Sequence, residues 1–106
     1  MKLAIIISTG DIEAAWSAFR FANFSKKEGD EVTVFLMGKA VDYAENSTEQ
    51  FPSKSEAEKF LAAGGAIRAC GTCLKMRNKQ GGALCPISGM KDLHALVKEA
   101  DKTVCF

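Results

Sequence analysis

Apolar and polar positions alternate between two rhythms along the chain. Leu3 to Ile7 is a continuous apolar run without alternation, as expected of a central parallel strand covered on both faces. Thr9, Gly10 and Asp11 break that run and are suited to capping a helix. From there Ile12, Ala15, Trp16, Phe19 and Ala22 recur at helical spacing, which predicts a helix to about Lys27 with those residues as its buried stripe. Phe21 and Phe24 fall off the stripe. Apolar residues on two sides of one helix point either to a wide core face or to a subunit contact. After the turn at Glu28, Gly29 and Asp30, the β-branched and aromatic run Val32 to Met37 predicts a second strand. The first third of the chain thus reads as a β-α-β unit, with a right-handed crossover and a parallel strand pair.

The same reading continues downstream. Gly38 ends the second strand, and Lys39 to Ala44 is expected as a short helical turn. Glu45 to Ser53 is polar, contains Pro52 and reads as a loop. Ser53 or Ser55 can start a helix through Ala63, with Ala57, Phe60 and Leu61 inward and Gly64-Gly65 at its end. Ala66 to Ala69 is the third strand. Leu74 to Lys79 contains good helix formers apart from Asn78. Leu84 to Ile87 is a short strand or a covering loop, and Pro86 argues against a central position. Ser88 is placed to cap a last helix whose inner stripe is Met90, Leu93, Leu96 and Val97, and Lys102 to Phe106 is a final strand. The pattern implies a single domain over residues 1–106, a three-layer α/β/α fold with a mostly parallel sheet.

Composition narrows the function. Against 14 Lys and Arg stand 13 Asp and Glu, a formal net charge of +1, so no global charge argues for nucleic acid. Locally the charges separate. Arg68, Lys75, Arg77 and Lys79 make one basic strip, while Asp42, Glu45, Glu49, Glu56 and Glu58 make the middle acidic. The Leu3–Ile7 run is too short for the apolar core of a secretory signal, and no run is long enough to span a bilayer. A cytoplasmic protein without membrane or nucleic-acid partners is therefore expected.

The chemistry lies in the cysteines. Cys70 and Cys73 form a Cys-x-x-Cys at the end of the third apolar run, in Ala-Cys-Gly-Thr-Cys. A thiol at such a strand-to-helix junction sits at the carboxyl edge of a parallel sheet, where α/β proteins place their sites. A helix amino terminus and basic neighbours there favour the thiolate. Thiol chemistry, metal binding and a buried inert pair are the three readings, the first being favoured. For metal, Cys70, Cys73 and Cys85 give three thiolates, with Cys105 or His94 as a fourth ligand. His94 reads more readily as a surface residue and Cys105 as core, while Cys85 is a candidate to lie over Cys70. The Ser8-Thr9-Gly10-Asp11 turn lacks the glycines and lysine of a phosphate loop, and no cofactor is expected. A Cys70–His94 nucleophilic pair requires the fold to bring the two together.

With these pieces in order, the chain resembles the DsrE/DsrF-like family of small sulfur-relay proteins. The resemblance runs through the opening Lys-Leu-Ala-Ile-Ile-Ile-Ser-Thr-Gly and the Val-Thr-Val-Phe-Leu-Met-Gly of the second strand. It continues through Ala-Cys-Gly-Thr-Cys to Ser-Gly-Met-Lys-Asp-Leu and Ala-Asp-Lys-Thr-Val-Cys-Phe near the end. It implies a parallel sheet flanked by helices and assembly as a homo-oligomer, a trimer or hexamer. It also implies a persulfide on a cysteine matching Cys70, taken from a protein sulfur donor and passed to a protein acceptor. Cys73 is then either a resolving thiol or a stabilising donor. Gly71, having no side chain, would let another chain approach. The rival functions are a thiol-disulfide oxidoreductase using the same pair, and a non-catalytic oligomeric subunit with a structural zinc-thiolate site. For assembly the candidate contacts are Phe21, Phe24 and Phe51, with Tyr43 a further candidate. The loops Glu45–Ser53 and Gly81–Ser88 are expected to frame the site.

Overall fold

A computed structural model describes all residues, 1–106. Five strands, β1 (Lys2–Ile7), β2 (Glu31–Leu36), β3 (Ala66–Cys70), β4 (Ile87–Ser88) and β5 (Lys102–Cys105), form one sheet in the order β4-β3-β2-β1-β5. Every neighbouring pair is parallel. Four helices connect them: α1 (Ile12–Lys27), α2 (Ser53–Ala62), α3 (Gly71–Met76) and α4 (Met90–Glu99), with a 3-10 turn at Gly38–Asp42. The chain steps from β1 to β4 in one direction, so right-handed crossovers put α1, α2 and α3 on one face. Only the return from β4 to β5 runs the other way, which puts α4 on the opposite face and completes the three-layer α/β/α fold.

Period-two alternation in the strands decides which residues meet which layer. Leu3, Ile5 and Ile7 of β1, Val32, Val34 and Leu36 of β2, and Ile67 and Ala69 of β3 share a buried cluster with Ala15, Ala18, Phe19 and Ala22 of α1 and Ala57 and Phe60 of α2. The register Leu3↔Val32, Ile5↔Val34 and Ile7↔Leu36 aligns the stripes on that face. Asp11 caps α1 by accepting from Glu13 N–H at 2.9 Å, which satisfies an otherwise unpaired amide of the first turn. The expected α1 stripe shifts slightly: Ala18 is fully buried, while Ile12 and Trp16 are half-buried at its margin.

The α4 face is covered more thinly. The expected inner stripe of α4 is only partly realised, for Leu93 and Leu96 are half-buried while Met90 and Val97 remain 55% and 43% exposed. A single helix cannot cover a five-stranded sheet, so its flanking apolar positions are left at the rim. Of the two expected helix starts, one is displaced and one is met. Gly89, not Ser88, precedes α4; Ser88 belongs to β4, and its hydroxyl instead donates to Asp92 Oδ2 at 2.6 Å. α2 begins at Ser53, one of the two expected starts, and the buried Ser53 hydroxyl donates to the Tyr43 carbonyl at 2.9 Å. Cys105, expected in the core, is exposed because β5 is an edge strand.

One packing constraint is severe. A Cβ on Gly65 would lie 2.3 Å from the ring of Phe60, which is fully buried on the inner face of α2. Gly65→Ala is expected to lower stability by about 1–3 kcal/mol through overpacking. Gly82→Ala, whose Cβ would meet nothing within 4 Å, is expected to stay within about 0.5 kcal/mol of the parent. Urea unfolding midpoints of the two variants check this; equal midpoints would show that the Phe60 contact is not limiting.

Candidate functional site: a thiol pair at the carboxyl edge of the sheet

The last residue of β3 is Cys70, and the same residue is the cap of α3, with φ −61° and ψ 116°. Strand pairing fixes its place: Leu36 lies opposite Ala69 just before it, and Ser88 lies opposite Cys70 itself. Gly71 then turns the chain into α3. A Cβ there would come within 3.1 Å of the Ser88 carbonyl oxygen and 3.2 Å of the Ile87 side chain. The space at Gly71 is therefore used by β4 of the same chain, where the sequence reading reserved it for a partner. Cys73 follows in the first turn of α3, half-buried against the main core.

The 3-10 turn after β2 completes the arrangement. Gly38 adopts φ +59°, a left-handed conformation that side chains resist, and its N–H donates to Cys73 Sγ at 3.1 Å. Arg77 donates to the Cys73 carbonyl at 3.0 Å. Sequence reasoning missed Gly38. The signal was available: in a parallel sheet the residues just beyond neighbouring strands emerge side by side, and a glycine directly after β2 adjoins whatever follows β3. The Glu45–Ser53 loop was expected to frame the thiols, but the 3-10 turn does so, together with β4.

Cys70 is covered, with 4% of its surface exposed, yet it lies close beneath the surface. Burial alone would raise its pKa. The Cys73 amide, the Cys73 thiol and the Thr72 amide outweigh that cost and hold the Cys70 thiol below its ordinary value. The Cys70 side chain closes no cap hydrogen bond of regular geometry with these amides, so their action is that of N–H dipoles directed towards the sulfur. The basic strip is not the cause. Arg77 pairs with Asp42 at 3.5 Å, and Lys79 contacts both Asp42 and Glu45. Half of the basic strip, Arg77 and Lys79, thus pairs with Asp42 and Glu45 of the acidic middle, pinning the segment after α3 to the 3-10 turn. Burial disfavours the charge on Lys79, but its hydrogen bonds to Asp42 and Glu45 prevail and raise its pKa.

Cys85 behaves differently. Its thiol donates to the Val41 carbonyl at 3.5 Å rather than to either member of the pair. Burial pushes its pKa up to about 11, against the opposing charge of Lys79 and with help from Glu45 and Asp42. It is a protonated packing thiol at neutral pH. Tyr43 anchors the same segment, donating to the Leu84 carbonyl at 2.8 Å while its ring stacks 4.9 Å from Phe19. It is buried and so does not offer itself as an assembly contact. Pro86 is trans, and its carbonyl accepts from Ala69 N–H at 2.8 Å. No group of three or more His, Cys, Asp and Glu side chains is placed to hold a metal ion. His94 is exposed on α4. A cleft of about 480 Å³ on the α1/α2 surface is lined by Arg20, Phe24, Lys27, Glu56 and Lys59, and one of about 440 Å³ lies beside Cys85. Neither is lined by Cys70 or Cys73.

No helix is long and apolar enough to cross a membrane. An uncharacterized protein of Methanocaldococcus jannaschii is 35% identical over 114 aligned positions, covering 100% of both chains. An uncharacterized protein of Methanopyrus kandleri is 31% identical over 89% of this chain and 83% of its own. Among solved structures, the ychN protein from E. coli superposes with a TM-score of 0.83 at 20% identity over 100% of both chains. A conserved protein of unknown function from Bacteroides thetaiotaomicron gives 0.80 at 21% identity, over 99% of this chain and 94% of its own. These likenesses establish the fold, and residues 1–106 match a single family throughout: the chain belongs to the DsrE/DsrF-like family.

Proposed function

We propose that this chain is a persulfide-carrying sulfur-relay protein in which Cys70 takes sulfur from a donor persulfide and passes it to a partner thiol. The observation that carries the reading is the position of Cys70: the carboxyl end of β3, just under the surface, with its pKa lowered by the first turn of α3. The Cys70 thiolate attacks the terminal sulfur of the donor persulfide, the donor sulfur–sulfur bond breaks, and the donor leaves as a thiolate. The second transfer is the same exchange with Cys70 as the leaving thiolate. Neither step has net oxidation, and neither needs a cofactor. Neither cleft described above is lined by Cys70 or Cys73, which favours docking of a protein donor and acceptor over binding of a small substrate.

Assembly belongs to the same proposal. Phe24 and Phe21 are 61% and 40% exposed on α1, and Phe21 lies 6.4 Å from the ring of Phe106. These residues support a homo-oligomer, which we place in the cytoplasm as a trimer or a pair of trimers. Phe51 packs 5.4 Å from Trp16 within its own chain and offers less to a partner.

Intact mass after exposure to a cysteine desulfurase plus cysteine tests the carrier. C70S is expected to lose loading while its circular dichroism spectrum is unchanged; loading equal to that of the parent would remove Cys70 from the role. Alkylation mapped by residue tests the thiolate. The rate–pH midpoint of Cys70 is expected below that of a free cysteine peptide, and that of Cys85 above it, since the thiolate is the reacting form. A Cys70 midpoint at or above that of the peptide would contradict the favoured thiolate. For assembly, Phe24→Glu is expected to shift sedimentation towards the monomer, because it would bury an unpaired charge. A parent protein that is monomeric at every micromolar concentration would rule the interface out.

A further inference from the structure

Cys73 is held in more ways than packing requires. Its sulfur accepts the Gly38 N–H at 3.1 Å, and its carbonyl accepts from Arg77 at 3.0 Å. The Gly38 amide is not committed to the sheet. β2 ends at Leu36, and the Met37 N–H closes the ladder on Ile7 O at 3.0 Å. The chain then turns through φ +59° at Gly38, where a Cβ would lie 3.3 Å from the Ser8 carbonyl oxygen. The amide is thereby aimed at a sulfur in the same helical turn as Cys70. A donor to sulfur fixes where that sulfur sits, beside the thiol it would attack. Cys73 is also half-buried rather than enclosed, so a small anion formed beside it has a way out.

We propose, building on the carrier reading, that Cys73 resolves a Cys70 persulfide that meets no acceptor, releasing hydrosulfide and leaving a Cys70–Cys73 disulfide, with the Gly38 amide positioning the attacking sulfur. The Cys73 thiolate attacks Sγ of the Cys70 persulfide. The Sγ–Sγ bond forms as the bond from Cys70 Sγ to the terminal sulfur breaks, and that sulfur leaves with the electron pair and its own proton as HS⁻. The terminal sulfur is reduced to sulfide while the two cysteine sulfurs become a disulfide, so no external oxidant takes part. A dithiol reductant, by ordinary thiol–disulfide exchange, returns the pair to its reduced form. Internal resolution is unimolecular and delivery to a partner is bimolecular, so the supply of acceptor decides which occurs. Cys73 is thus a resolving residue, and Gly38 a positioning residue acting through it.

The test uses full-length protein loaded by a cysteine desulfurase plus cysteine, separated from the donor and held without oxygen or acceptor. Hydrosulfide is measured with time, and intact mass and non-reducing peptide maps are taken in parallel. The parent protein is expected to release hydrosulfide equimolar with its load, at a rate independent of protein concentration, as a Cys70–Cys73 linked peptide appears. C73S, with C73A as a second variant, is expected to load, keep its sulfur and form no link. Gly38→Ala is expected to load but release more slowly. Gly29→Ala, at a glycine with φ +89° and open space around it, controls for left-handed strain and is expected to release at the parent rate. Release from C73S or C73A as fast as from the parent would overturn the proposal. A parent that loads but keeps its sulfur would also overturn it, leaving the carrier reading intact. A parent that never loads defeats the carrier reading itself, and this inference with it.

Discussion

The parallel register between β2 and β3 is the constraint from which the thiol site follows. Leu36 lies beside Ala69, so the first residues beyond the two strands leave the sheet together, at the same edge and height. One exit leads through Gly38 into the 3-10 turn; the other leads through Cys70 into α3. The hydrogen bond from Gly38 to Cys73 is a direct product of that alignment. A slip of one residue would reverse the faces of β3 and move the amide out of range. That slip is resisted by the core, since it would expose Ile67 and Ala69, which are buried against α1 and α2.

Charge secures what the register begins. Asp42 closes the 3-10 turn and meets Arg77 and Lys79, which follow α3. The two segments that flank the Gly38–Cys73 contact are thereby tied a second time, a few residues further out. The pairs are partly exposed, so each contributes little to overall stability. Their effect is local: Arg77 spans Asp42 and the Cys73 carbonyl. The Cys70 thiol owes its lowered pKa to amides and its neighbouring thiol, while Arg77 and Lys79 are occupied by Asp42 and Glu45.

Much of the architecture was legible in the chain. The unalternated Leu3–Ile7 run, the α1 stripe and the Val32–Met37 run pointed to a parallel β-α-β unit, and Pro86 argued correctly against a central strand. The placement of Cys70 at the carboxyl edge also followed from local pattern. What escaped depended on distance along the chain. Gly38 and Cys73 are 35 positions apart, and neither carries a local sign of the other. The basic strip and the acidic middle were visible separately, but their mutual pairing needed the fold. Cys105 looked like core because its run is apolar, yet an edge strand has a neighbour on only one side. Met90 and Val97 obeyed helical spacing but outran the area that α4 can cover.

That thin covering makes the molecule uneven in its resistance to opening. The layer of α1 and α2 shares one continuous core with β1, β2 and β3, and it cannot loosen in part without losing the whole. The C-terminal layer is different. α4 has no fully buried residue, and β5 pairs with β1 alone. Its release would leave the main core and the thiol turn of α3 in place. Sub-global opening of this kind has its own free energy, lower than that of complete unfolding. The last seventeen residues thus form a more separable leaf on the main body, and amide exchange there is expected to proceed without the rest of the protein coming apart.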